Sequence, residues 1–221
     1  ILRISTSNNF IHEVLRDSSP INSYGSTTFI NGFHFQYNMS ASANFSELRK
    51  QMQAADEARE KAIQQSREIV RLSKQTIYAL QRNDKETANR LMSTMKTATK
   101  ALQKSTETGP QLKIAEQEYV EAACFASFIN GKKLASAKSL GVQPENYLLG
   151  VCDLAGELVR FAVNAAIKGD KKAATNARTF LDDIYGELLQ FDFRNGELRK
   201  KFDGVKYELK KLDTLVFELK K

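Results

Sequence analysis

The sequence has few of the residues that interrupt helices or build redox sites. Its 221 residues include no Trp, 3 Pro, 11 Gly and 2 Cys. Long stretches without a helix breaker favour helices over a sheet, and the length suffices for one domain with a sizeable core. Cys124 and Cys152 lie in apolar stretches and form no CxxC pair. This pattern indicates two reduced, buried thiols.

Histidine is missing from most of the chain, because His12 and His34 both precede Met39. A body without His cannot build a Ser-His-Asp triad, a His-based ribonuclease or a Glu-x-x-His di-iron site. No run reaches the roughly 18–20 apolar residues of a membrane span, so we expect a cytoplasmic protein with no membrane contact. The net charge of +7 lies entirely in residues 39–221. It suits a polyanionic partner, although an ordinary basic surface would look the same.

The chain divides into two parts by composition. Residues 1–38 contain no Lys, are rich in Ser, Asn and aromatic residues, and show no sustained period. We interpret them as a disordered or non-native N-terminal extension, and residues 39–221 as one helical domain. Apolar periodicity predicts seven helices, which begin at residues such as Asp84 or Pro144 and end before glycines. They cover about residues 47–82, 84–108, 111–130, 132–140, 144–168, 170–191 and 197–221.

The last predicted helix carries apolar residues at alternating spacings of four and three. They form a heptad seam, which consists of Leu198, Phe202, Val205, Leu209, Leu212, Val216 and Leu219. Such a seam packs either inside its own subunit or against a second one, and the pattern leaves both outcomes open.

Four carboxylates occupy helical segments that otherwise look like core. Glu118 and Glu121 lie three residues apart and Asp153 and Glu157 four apart, so each pair shares one helix face. Glu121 lies nine residues before the end of its predicted helix, and Asp153 nine residues after the start of the next long one. If these two helices pack antiparallel, all four acids fall at one height.

Acids in an apolar setting need a partner. Salt bridges with cations such as Lys113 and Arg160 would serve, and so would a hard metal ion. Mg²⁺ takes carboxylate oxygens and can polarise a phosphodiester and activate a bound water. The spacing alone does not decide between the two.

Several blocks of the sequence resemble the translin family, and most closely its translin-associated factor X branch. They cover about residues 45–221 and are Ser66-Arg67-Glu68-Ile69, Ser73-Lys74-Gln75-Thr76-Ile77-Tyr78, Gln117-Glu118-Tyr119-Val120-Glu121-Ala122, residues 147–158 and Gly169-Asp170. The block at residues 198–207 is more similar to translin itself.

The resemblance implies an all-α, seven-helix subunit that assembles into a hollow, barrel-like homo-oligomer, commonly an octamer. It implies binding of single-stranded RNA, with single-stranded DNA as a further ligand. It also implies a Mg²⁺-dependent endoribonuclease, with Mn²⁺ as a substitute ion. Its catalytic and metal-binding residues would be Glu118, Glu121, Asp153 and Glu157, holding the ion and the attacking water. The alternatives are a non-catalytic nucleic-acid-binding protein of translin type and a helical scaffold.

Basic residues that could hold phosphates occur in two groups. The first lies on one face of the first helix and the second at the start of the last helix. These candidate nucleic-acid-binding residues are Arg67, Arg71, Lys74, Arg199, Lys200, Lys201 and Lys206. Without the resemblance they would be an ordinary solvated surface.

Overall fold

A computed structural model describes residues 40–105 and 109–221, and the extension expected over residues 1–38 lies outside them. The described residues form seven helices and no strand, which confirms the all-α class. The helices are α1 (Ser40–Gln81), α2 (Lys85–Gln103), α3 (Gly109–Ile129), α4 (Ala137–Leu140), α5 (Pro144–Ile167), α6 (Lys171–Leu188) and α7 (Glu197–Glu218).

The helix boundaries follow local capping chemistry. Asp84 caps α2 and accepts a hydrogen bond from the Thr87 backbone N–H, and Asp170 caps α6 in the same way through Ala173. Pro144 lies in the first turn of α5, where its missing N–H costs nothing. The predicted boundaries are therefore close to the observed ones. Two differences are larger: α1 begins at Ser40 rather than at about residue 47, and of residues 132–140 only the single turn α4 is helical.

Three long helices run side by side in the same direction. The hydroxyls of Ser66 and Ser73 on α1 donate to the backbone carbonyls of Gln111 and Glu118 on α3, each at 3.0 Å. Since both pairs are separated by 45 residues, α1 and α3 point the same way.

The helices α3 and α5 are also parallel, so the antiparallel arrangement considered from their spacing is not the one that the chain adopts. Glu116 near the start of α3 binds Asn146 at the start of α5. Phe128 near the end of α3 packs edge-on against Phe161 near the end of α5, with 5.3 Å between ring centroids.

The parallel arrangement arises because residues 130–143 run back beside α3 before α5 begins. The backbone carbonyl of Ala135, in the middle of this segment, accepts hydrogen bonds from the Cys124 thiol at 3.9 Å and from the Tyr147 hydroxyl at 2.8 Å. The segment thus returns the chain to the level of the first half of α3. Glu121 and Asp153 still reach similar heights, but for a different reason from the one expected.

The seam of α7 packs inside its own subunit. Phe202, Val205, Leu209, Leu212 and Val216 are all buried in the core of the unit Ser46–Lys221. At these five positions the seam therefore packs within its own chain and not against a second subunit.

None of the helices in the described ranges is long and apolar enough to cross a membrane.

Candidate acid cluster between two parallel helices

The structure brings the four predicted acids together around Glu121. Burial of this carboxyl, followed by the negative charges of Glu118, Asp153 and Glu157, raises its pKa to about 8. The first two acids lie on α3 and the other two on α5. We call Glu118, Glu121, Asp153 and Glu157 the acid cluster. Burial and this repulsion together favour the protonated form of Glu121 near neutral pH.

Glu118 lies at the side of the cluster that faces α1. Burial raises the pKa of its carboxyl, and the charge of Asp153 acts in the same direction. The hydroxyl of Ser73 and the ammonium of Lys74 act against this rise. Lys74 is exposed on α1 and belongs to the first predicted group of basic residues. Its positive charge is close enough to Glu118 to lower the pKa of that carboxyl.

Glu157 contacts the last residue of α1, Gln81. The side-chain amide of Gln81 donates to both the carboxylate and the backbone carbonyl of Glu157, each at 3.1 Å. Arg160, one turn further along α5, lies 3.6 Å from the same carboxylate oxygen. Arg160 was predicted as a possible partner from its position in the sequence, whereas Gln81, which is buried at the end of α1, was not.

Asp153 is paired with Lys201 of α7. The Lys201 ammonium lies 2.5 Å from Asp153 Oδ2 and 3.1 Å from Gln117 Oε1. Lys201 was predicted to bind nucleic acid, yet the structure places its charge inside the acid cluster. A signal for this position exists in the sequence: Lys201 is three residues after Leu198 and four before Val205, so it lies on the core-facing side of α7.

Glu116 is a further buried acid that was not among the predicted ones, and its contacts hold the fold together. It is 2% exposed and accepts hydrogen bonds from Gln103 of α2, from Asn146 and from the Gln143 backbone N–H. It therefore ties the end of α2 to the start of α5. Its partners come from segments distant in sequence, so no local pattern reveals it.

The other basic candidates are exposed and differ in their partners. The Arg71 guanidinium is paired with Glu68, and that of Arg199 with Asp203. Lys206 lies above the Tyr207 ring at 6.0 Å. Arg67 and Lys200 are exposed on α1 and α7. The structure therefore leaves both groups accessible to phosphates, apart from Lys201.

A cavity of about 430 Å³ opens at the ends of the three parallel helices, next to Gln81. Its walls combine the amides of Gln81, Asn164 and Asn176 with the aromatic rings of Phe128 and Phe161. Amides and aromatic rings are the groups that contact unstacked nucleobases.

The donor set of the acid cluster fits a hard divalent ion, because all four side chains offer carboxyl oxygens. Within residues 40–105 and 109–221, no three His, Cys, Asp or Glu side chains stand in a geometry that could hold an ion. Holding an ion would thus require these carboxylates to turn toward one another, and Asp153 to turn away from Lys201.

The fold and the site define an all-helical protein with an acid cluster between two parallel helices. The model of the translin family matches residues 57–220. The chain belongs to the translin family.

Its relatives include translin of Bos taurus, which is 31% identical over 117 residues covering 47% of this chain and 51% of that protein. An uncharacterised protein of Methanocaldococcus jannaschii is 32% identical over 157 residues, or 67% of this chain and 70% of its own. Translin-associated protein X of Pongo abelii is 31% identical over 138 residues, or 47% of each. The chain thus spans about half of the length of the translins it matches.

Two solved structures share the fold. One is described as apo-NeC3PO and has a TM-score of 0.75 and 29% identity, covering 80% of this chain and 97% of that one. The other is described as an AfC3PO complex with duplex RNA and has a TM-score of 0.72 and 27% identity, covering 80% and 96%.

Proposed function

We propose that the protein is a metal-dependent endoribonuclease that cleaves single-stranded RNA at the acid cluster. The observation that carries this proposal is the placement of Glu121, which is buried among three other carboxylates that raise its pKa together with burial. A folded protein keeps such repulsion only at a cost, and perturbed carboxylates of this kind are typical of functional sites. A bound cation would relieve the repulsion.

Glu118, Glu121, Asp153 and Glu157 would hold Mg²⁺, with Mn²⁺ as a substitute. When bound, the ion would supply the positive charge that polarises the phosphodiester and activates the attacking water. Gln81 fixes the orientation of Glu157 by donating hydrogen bonds to its carboxylate and to its backbone carbonyl. Attack by water, rather than by the ribose 2′-hydroxyl, should leave a 5′-phosphate and a 3′-hydroxyl.

Support for RNA as the substrate comes from the fold and from the surroundings of the cluster. The related AfC3PO structure is a complex with duplex RNA. In this chain, the cavity beside Gln81 offers amides and aromatic rings, which contact bases only when these are unstacked. This lining favours single strands of RNA, and of DNA as a further ligand, over a duplex.

The test is cleavage of a labelled single-stranded RNA by the intact protein with Mg²⁺, with EDTA, and with Glu121→Gln. We expect cleavage only by the wild type with Mg²⁺, and products that carry a 5′-phosphate. Glu187→Gln, an exposed acid on α6, is the matched control and should cleave normally. Equal cleavage under all conditions would contradict the proposal, and a duplex competitor of the same length tests the preference for single strands.

A non-catalytic nucleic-acid-binding protein is the second candidate. The ion pair between Lys201 and Asp153 favours it, because the pair already neutralises part of the cluster. This alternative predicts salt-sensitive RNA binding without cleavage by the metal-loaded protein, and binding that Glu121→Gln leaves intact.

We also propose that the chain assembles into a homo-oligomer, an octamer that encloses a hollow barrel. Support comes from the first half of α1, where Leu48 and Met52 are 50% and 69% exposed on one face. Light scattering of the wild type and of Met52→Asp measures the mass. A monomeric wild type would contradict the assembly.

A further inference from the structure

The ammonium of Lys201 contacts Asp153, one of the four carboxylates of the acid cluster. It lies 2.5 Å from Asp153 Oδ2, which is the shortest ion pair of this site. We propose that Lys201 is a built-in counter-cation that Mg²⁺ must displace from Asp153 when it binds. The inference rests on the proposed metal-binding role of the cluster and adds a residue on a third helix, which controls how tightly the ion is held.

Lys201 is held in the site by two acceptors from two helices. Besides Asp153 on α5, it donates to Gln117 Oε1 on α3 at 3.1 Å. Its side chain is only 27% exposed, so water screens this charge less than it screens a surface lysine. The ammonium is thus fixed at the junction of α3, α5 and α7.

The neighbouring basic residues of α7 do not share this position. Lys200 is exposed, and the Arg199 guanidinium lies on the surface with Asp203. Lys201 faces inward because it lies between Leu198 and Val205 on the side of α7 that packs against the core. The chain therefore offers a control residue of the same charge only one position away.

Lys201 and a metal ion would compete for the negative charge of Asp153. The ammonium already neutralises this carboxylate, and two cations held at one carboxylate repel each other strongly. When Asp153 turns to the ion, Gln117 remains as an acceptor for the ammonium. Lys201 thus stabilises the metal-free cluster and weakens the binding of the ion.

The experiment measures Mg²⁺ binding by isothermal titration calorimetry, together with thermal unfolding in EDTA and in Mg²⁺. The variants are Lys201→Gln, which removes the charge, Lys201→Arg, which keeps it, and Lys200→Gln, the control. We expect Lys201→Gln to bind Mg²⁺ roughly tenfold more tightly than the wild type. It should also unfold at a lower temperature in EDTA and recover the lost stability in Mg²⁺.

The two other variants separate this role from general electrostatics. Lys201→Arg should bind Mg²⁺ no more tightly than the wild type, because the guanidinium still holds Asp153. Lys200→Gln should match the wild type in both measurements, although it changes the net charge equally. If Lys201→Gln does not fold, Lys201→Arg still tests the role, since tighter Mg²⁺ binding by this variant would overturn the inference.

The possible results distinguish this inference from the proposed nuclease function. Equal or weaker binding by Lys201→Gln overturns the counter-cation role alone. Tighter binding by Lys201→Gln in a protein that does not cleave RNA supports the role and overturns only the nuclease. If neither protein binds Mg²⁺, both proposals fail.

Discussion

Gly150 of α5 lies so close to Gln117 of α3 that a side chain cannot fit between them. A Cβ atom at position 150 would stand 2.5 Å from the Gln117 carbonyl oxygen and 2.7 Å from the Val120 Cβ. This contact is one turn before Asp153 and Glu121. The close approach of the two backbones is therefore what places the two pairs of carboxylates next to each other.

Gly150→Ala should force α3 and α5 apart. The clash involves backbone and a β-branched residue, so neither neighbour can give way easily, and overpacking of this kind costs about 1–3 kcal/mol. We expect a lower free energy of unfolding in urea and weaker Mg²⁺ binding. Gly156→Ala on the same helix is the control, since nothing lies within 4 Å of its added Cβ. It should stabilise by about 0.5–1 kcal/mol, and equal effects of the two changes would contradict the role of Gly150.

Glu121 should make the stability of the metal-free protein depend on pH. Its pKa is about 8 in the folded state against an ordinary value of 4.5, so the folded protein keeps a proton that the unfolded chain has lost. The stability linked to this proton is complete below pH 4.5 and is lost as the pH rises to 8. Glu121→Gln should therefore exceed the wild type in unfolding free energy above pH 8, by at least about 1 kcal/mol.

The difference between these two proteins should vanish below about pH 4.5, where both carry a neutral side chain at position 121. Urea unfolding in EDTA at pH 4, 7 and 9 measures this difference. Glu187→Gln should show no comparable gain at high pH. A constant difference across the whole range would contradict the raised pKa of Glu121.

Replacing Glu116 should lower the free energy of unfolding, whereas replacing Glu121 by Gln should raise it at high pH, although both acids lie on α3. Glu116→Ala leaves the hydrogen-bond donors of Gln103, Asn146 and the Gln143 backbone without their acceptor. Loss of such a buried charged acceptor costs about 2–3 kcal/mol. Unfolding in urea should show this loss, while the Mg²⁺ affinity of the folded protein stays unchanged in calorimetry. A loss of Mg²⁺ binding at full stability would place Glu116 in the functional site.

The basic residues of α1 should contribute unequally to RNA binding. Lys74→Gln should weaken binding and lower the slope of log affinity against log salt by about 1, as expected for one lost phosphate contact. Arg71→Gln should have a smaller effect, because Glu68 already pairs with its guanidinium. Fluorescence anisotropy across a salt series measures both slopes. Equal slopes for wild type and Lys74→Gln would exclude Lys74 from the interface.

Much of the fold could be predicted because it depends on local chemistry. Helix periodicity and the caps at Asp84 and Asp170 determine where helices begin and which side faces inward. The direction of α5 relative to α3 depends on the path of residues 130–143, which their local spacing does not determine. The four acids share faces by spacing alone, whereas Lys201 and Gln81 reach the cluster from α7 and α1 through contacts that only the folded chain creates.

The proposed function requires that the four carboxylates bind a metal ion. The most direct measurement is anomalous diffraction from crystals grown with Mn²⁺. We expect a peak between α3 and α5, with Glu121 and Asp153 among its ligands and the Lys201 ammonium moved away from Asp153. Crystals in saturating Mn²⁺ that show no anomalous peak there, with Lys201 still paired to Asp153, would contradict the account.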